Sequence, residues 1–166
     1  MKLRTLVLFF LAAALSFTVK AQKQQLPNIA DPRVHIKLPD LKGDSLTLVS
    51  FTGKVIVLDF WASWCGPCKL ANRDLVKLYN KYKTQGLEIF SVSLDESKKS
   101  WQKAVDKQKL TWIQVNDPRG WDAQTAARWN IFQLPTTYLI NKKGDVVSID
   151  LEGKELEESI RKLLVE

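Results

Sequence analysis

An α/β fold with a mixed central β-sheet flanked by helices is predicted by three features of the sequence. Strand-like apolar runs alternate with helical apolar periods beyond residue 55. One run, Val55-Ile56-Val57-Leu58-Asp59-Phe60, is apolar at every place but one, as suits a strand covered on both faces. The chain then closes on strand, turn, strand and helix.

The segment from Met1 to about Ala21 stands apart from that pattern. Lys2 and Arg4 precede an apolar run from Leu6 to Leu15, and Val19-Lys20-Ala21 ends on a small residue, the pattern of a secretory signal. The run is shorter than the roughly 20 residues a spanning helix needs. Cleaved export is therefore expected, to a periplasmic or other extracytoplasmic space, with an uncleaved amino-terminal anchor as the alternative. No cysteine precedes Cys65, which excludes lipid attachment through an amino-terminal cysteine. Residues 22–33, with Pro27 and Pro32 and no periodicity, read as an extended leader, and 34–166 as a single domain. The formal charge of +7 falls to +4 once the three basic residues Lys2, Arg4 and Lys20 are removed. The remaining lysines are scattered over helix exteriors, so no nucleic-acid partner is expected.

Within the domain, Val34-Ile36-Leu38 and Leu46-Leu48 alternate with polar residues around Lys42-Gly43-Asp44, which predicts a hairpin. The 55–60 run is the expected sheet centre. Ala71, Leu75, Leu78, Tyr79 and Tyr82 recur at helical spacing up to Gly86. Leu87 to Leu94 is a strand, a helix capped near Ser97 presents Trp101, Ala104 and Val105, and Trp112 to Val115 is a short strand. After the loop Asp117-Pro118-Arg119-Gly120 come a helix from about Asp122 to Trp129, a strand Thr137 to Ile140, and a turn at 141–145. A strand Val146 to Leu151 follows, then a last helix with Leu156, Ile160, Leu163 and Leu164 on one face.

Chemistry concentrates in Trp61-Ala62-Ser63-Trp64-Cys65-Gly66-Pro67-Cys68-Lys69. Two cysteines separated by two residues at a helix start can close a small disulfide ring, and the positive helix end favours thiolate at the first. Cys65 is thus the expected attacking sulfur, exposed at the turn, and Cys68 the covered resolving one. Pro67 limits backbone freedom between them. A four-ligand zinc site would need more than two cysteines and the single His35. Haem attachment would need histidine where Lys69 stands. A purely structural disulfide across so short a loop would restrain the unfolded chain little. Asp59, an acid inside an apolar strand, is costly unless it is used or paired; the alternative is that it marks a strand end reaching solvent.

The segment Val57 to Cys68 resembles the active-site strand and loop of thioredoxin, and Leu134-Pro135-Thr136-Thr137 resembles that family's cis-proline loop. The amino-terminal signal, the preceding hairpin and the βαβ-type insertion from Ser97 to Val115 are further similar to exported TlpA/ResA-type thiol:disulfide oxidoreductases. That resemblance covers about residues 34–165. It implies a thioredoxin-like fold and a redox site with no cofactor and no metal. It implies catalytic roles for Cys65, Cys68 and Asp59, with Asp59 as a proton relay beneath Cys68. It also implies a substrate surface of Trp64, Gly66, Pro67, Leu134 and Pro135, where a target backbone adds beside Leu134. Two departures stand out: Ala71 and Arg73 occupy the places of a glutamate and a proline usual in ResA-like chains, which removes one relay group and a helix-kinking residue.

The expected activity is thiol-disulfide exchange on disulfide-containing extracytoplasmic proteins. Gly66-Pro67 resembles the reducing members, and an oxidising exterior then requires a membrane electron donor. A monomer is expected. Two alternatives fit the residues less well. Peroxide-reducing relatives carry a threonine and a proline in the loop before the reactive cysteine, and the loop from Trp61 to Trp64 has neither. A non-enzymatic thioredoxin-fold binding module would leave the paired cysteines and Pro135 without purpose.

Overall fold

The computed structural model describes residues 26–166, so the expected signal segment lies outside the described residues. The elements run β1 (Lys37–Pro39), β2 (Ser45–Thr47), β3 (Val55–Trp61), α1 (Gly66–Tyr82), β4 (Leu87–Ser93), α2 (Lys98–Gln108), β5 (Ile113–Asn116), α3 (Gln124–Arg128), β6 (Thr136–Ile140), β7 (Val146–Ile149) and α4 (Gly153–Val165).

The main sheet has five strands in the order β5-β4-β3-β6-β7. β3, β4 and β5 are parallel, and β6 and β7 return antiparallel, as the hairpin-like closing segment requires. All seven residues of β3 are buried, which matches its continuous apolar run and its place at the sheet centre. Period-two alternation then divides the core. Ile56, Leu58 and Phe60 point into one cluster with Ala123, Ala126 and Trp129. Val55, Val57 and Trp61 point into the other with Leu75 and Leu78 of α1, Trp101 and Val105 of α2, and Leu156 and Ile160 of α4. Each such large side chain removed from water contributes about 1.5–3 kcal/mol, so the packed helices hold α1 firmly over the centre of the sheet.

The sequence-predicted elements are all present, and their edges differ where backbone hydrogen bonding takes another course. The hairpin is shorter than its alternation suggests: Val34 ends a 3-10 turn over Pro32–Val34, and Leu48 begins another over Leu48–Phe51. The chain expected to be helical from Asp122 splits into a 3-10 turn at Gly120–Asp122 and the short α3, with Ala123 extended between them. It folds round the buried Asp117, whose carboxylate accepts from Arg119 and Thr125. α1 ends through a 3-10 turn on Gly86, whose φ of +104° is open to glycine at little cost.

The extended leader expected over 22–33 is corrected from Asn28 onward. Asn28 bridges to Asp145, its side chain donating to the Asp145 carboxylate at 2.8 Å, and Ile29 is 1 % exposed in the core. Absence of periodicity hid this because a single apolar residue anchored by a side-chain hydrogen bond leaves no repeat to read.

Candidate active site

β3 delivers the chain to the site and α1 leaves from it. Cys65 is the N-cap of α1, extended in its backbone, with Gly66 and Pro67 in the first turn, where a proline's missing N–H costs nothing. Cys65 and Cys68 are joined, with Sγ–Sγ 2.03 Å and Cα–Cα 5.3 Å. Cys65 Sγ accepts a hydrogen bond from the Cys68 amide at 3.1 Å, the geometry in which a first-turn N–H and the helix dipole would stabilise a thiolate.

The exposed Cys65 expected from the sequence is corrected in degree. It is 5 % exposed against 0 % for Cys68, because both belong to the cluster beneath α1 and partly buried Leu134 packs against it. What is open is the surface above: Gly66 and Pro67 are exposed, and a Cβ on Gly66 would meet nothing within 4 Å. Trp64 is 54 % exposed and lies with its ring centroid 6.2 Å from that of Trp121, itself 51 % exposed. The Leu134-Pro135 peptide is cis, and Thr136 Oγ1 closes that loop by donating to the Gln133 carbonyl at 3.0 Å. Phe132, in the same loop, is 86 % exposed.

Asp59 does not mark a strand end; it is 1 % exposed at the middle of β3. It shares its face with Val57 and Trp61, hence the side of the sheet covered by α1 and Cys68. Ser91, its register partner on β4, donates to Asp59 Oδ2 at 2.8 Å, and Trp112 Nε1 donates to Ser91 Oγ at 2.8 Å. Asp59 Oδ1 is buried without a hydrogen-bond partner among the described residues. Burial pushes this carboxyl up to about 7, against the opposing hydrogen bond from Ser91. Asp59 is therefore poised to exchange a proton near neutral pH.

A second carboxylate, Asp95, is 1 % exposed just beyond β4. It accepts from the Ser63 amide at 2.9 Å, the Ser63 hydroxyl at 2.6 Å and the Ser93 hydroxyl at 2.8 Å. Asn116 Nδ2 donates to the carbonyls of Ser93 and Asp95 at 3.1 and 2.9 Å. The loop that carries Cys65 is thus tied to the ends of β4 and β5. Sequence reasoning missed Ser91, Trp112, Asp95 and Trp121. A signal existed for the serines: Ser91 and Ser93 interrupt the apolar run of β4 at alternate places, on the same face as Asp59.

Of the two departures, Arg73 is exposed and α1 runs unbroken from Gly66 to Tyr82. Ala71 is half-buried and brings no second acid.

Comparison with known proteins gives a consistent answer. The profile of the AhpC/TSA family matches residues 29–149. The chain is 33 % identical over 165 residues to a thiol-disulfide oxidoreductase ResA of Geobacillus kaustophilus, covering 98 % of this chain and 92 % of that one. It is 32 % identical over 151 residues to the ResA of Bacillus subtilis, covering 89 % and 82 %. Among solved structures, a thiol-disulfide oxidoreductase from Bacteroides fragilis superimposes with a TM-score of 0.74 at 31 % identity, over 84 % of this chain and 99 % of that one.

Proposed function

From the premise that the chain belongs to the AhpC/TSA family and is a ResA-type thiol-disulfide oxidoreductase, we propose that it reduces disulfides of proteins outside the cytoplasm. The observation that carries the reading is the Cys65-Cys68 pair at the start of α1, set above an acid whose burial holds its proton until about pH 7.

In the reduced protein, the Cys65 thiolate attacks one sulfur of a target disulfide. A Cys65–target S–S bond forms, and the other target sulfur leaves and takes up a proton. Cys68 then loses its proton to Asp59 and attacks Cys65 Sγ. The target's second sulfur departs as thiolate, and the Cys65-Cys68 bridge closes. Two electrons have passed from the enzyme pair to the target. Trp64, Gly66, Pro67, Leu134 and Pro135 supply the surface on which the target lies. In an oxidising compartment the pair must be reduced again, and a dithiol carried by a membrane protein is the electron donor we assign. The amino-terminal charge and apolar pattern support the compartment.

Expression of the full chain as Cys68→Ala should accumulate Cys65 mixed disulfides with extracytoplasmic proteins, from a mature form beginning near Gln22. Recovery of an intact amino terminus in the cytosol would overturn the compartment. A Cys68→Ala protein that captures no target while consuming peroxide would overturn the substrate class.

A further inference from the structure

A groove between α1 and α2 opens beside the redox site and is not used by the chemistry above. Its volume is about 580 Å³; Ser63 lines one end, and Lys69 and Arg73 of α1 face Lys103 and Lys107 of α2 across it. Gln108 lies in its wall and accepts from Asn72 of α1 at 3.0 Å, which links the two helices at a fixed spacing. All four cations are exposed, and no acidic residue lines the groove.

Ordinary solvation of a basic surface does not account for this arrangement. Each helix carries its pair of cations four residues apart, a spacing at which like charges repel by about 0.2–0.5 kcal/mol. The acids nearest in sequence are engaged elsewhere: Asp74 pairs with Lys77 at 2.7 Å, and Asp106 accepts from Gln102. None of the four groove cations forms an ion pair among the described residues. A concave, uncompensated positive field is a site for negative charge.

The groove's place relative to the disulfide decides what brings that charge. β6, which follows directly on Pro135, lies on one side of β3; β4, which leads through Asp95 and Ser63 to the groove, lies on the other. A target segment that crosses Cys65 with its backbone beside Leu134 therefore runs off toward Lys69. Lys69 and Arg73 stand one and five residues beyond Cys68 along α1. At about 1.5 Å per helical residue and about 3.3 Å per extended residue, side chains roughly two to five places from the target's cysteine reach them. The geometry points to a protein substrate with an acidic segment, rich in Asp or Glu, within a few residues of its reactive cysteine. This inference rests on the exchange activity proposed above and adds the substrate's charge.

Prereduced full chain is mixed, in single turnover, with two synthetic peptides that each carry one cysteine in mixed disulfide with 2-mercaptoethanol. One has four glutamates flanking the cysteine and the other four glutamines. At low ionic strength the acidic peptide should react about tenfold faster. The advantage should vanish near 1 M salt, where the screening length is about 3 Å. Lys103→Glu/Lys107→Glu, on the exposed face of α2, leaves the groove with Lys69 and Arg73 against two acids and should abolish the preference while leaving the glutamine peptide's rate unchanged; Lys103→Gln/Lys107→Gln should give an intermediate value. Equal rates for the two peptides in the wild-type protein would overturn this inference and leave the activity standing. No exchange with either would overturn both. Binding to anionic phospholipid vesicles that is lost in the double Glu variant, with no peptide preference, would assign the groove to a membrane surface instead.

Discussion

Ser91 donates its hydroxyl proton to Asp59 Oδ2 at 2.8 Å while its oxygen accepts from Trp112 Nε1 at 2.8 Å. A hydroxyl has one hydrogen, so the indole orients Ser91 and Ser91 orients the carboxyl. Oδ1 is left without a hydrogen-bond partner among the described residues.

Replacement of Asp59 by Asn should stabilise the protein at alkaline pH and slow catalysis. Below about pH 4 the carboxyl is protonated in both folded and unfolded chains. Between there and about 7 the unfolded chain releases the proton while the folded one keeps it, so Asp59 lowers stability as pH rises through this window. The full effect above pH 7 is about 4 kcal/mol, offset by about 1–3 kcal/mol for a new buried amide without an acceptor. Denaturant melts should show Asp59→Asn more stable than wild type at pH 8 and no more stable at pH 4. Release of the mixed disulfide should slow by about 10²-fold, with the first attack by Cys65 affected less. An unstable variant with unchanged release would make Asp59 structural.

Ser91→Ala separates the relay from packing. It removes the one hydrogen bond that lowers the Asp59 pKa, so the pH midpoint of mixed-disulfide release should move above its wild-type position near 7. It also leaves Trp112 Nε1 without its acceptor, at a cost of about 1–3 kcal/mol. Stability loss with an unmoved midpoint would detach Ser91 from the proton.

Reduced protein treated with limiting iodoacetamide should be alkylated at Cys65 at least about tenfold faster than at Cys68, since only Cys65 caps α1 and retains exposed area. Peptide mapping reads the ratio directly. Faster labelling of Cys68 would reverse the roles of the two sulfurs.

Asp95→Ala should cost about 2–4 kcal/mol, because the Ser63 amide and hydroxyl and the Ser93 hydroxyl lose a charged acceptor. With the loop before Cys65 released, the Cys65-Cys68 potential measured against glutathione should shift and Cys65 alkylation should change rate. Asp95→Asn, which keeps one acceptor oxygen, should recover part of both. A potential identical to wild type in Asp95→Ala would confine Asp95 to stability.

By itself the sequence determined the class of fold, the central strand, the helix that begins at the cysteines and the presence of the Cys65-Cys68 pair at its start. Each of these is written in local spacing: a both-faces apolar run, a helical apolar period, two cysteines separated by two residues. Asp59 was legible as an anomaly in the run, but its pKa near 7 was not, because burial and the Ser91–Trp112 chain come from three strands-worth of sequence brought into register. The burial of Cys65 in the cluster beneath α1, the Asp95 clamp on Ser63 and the anchoring of Ile29 were likewise invisible. Their partners lie far apart along the chain, and which side chains meet across a sheet or between two helices depends on register and packing angle. The three lysines and one arginine of the groove read as scattered surface charge until α1 and α2 packed side by side, since only that packing turns two single-helix spacings into one concave field.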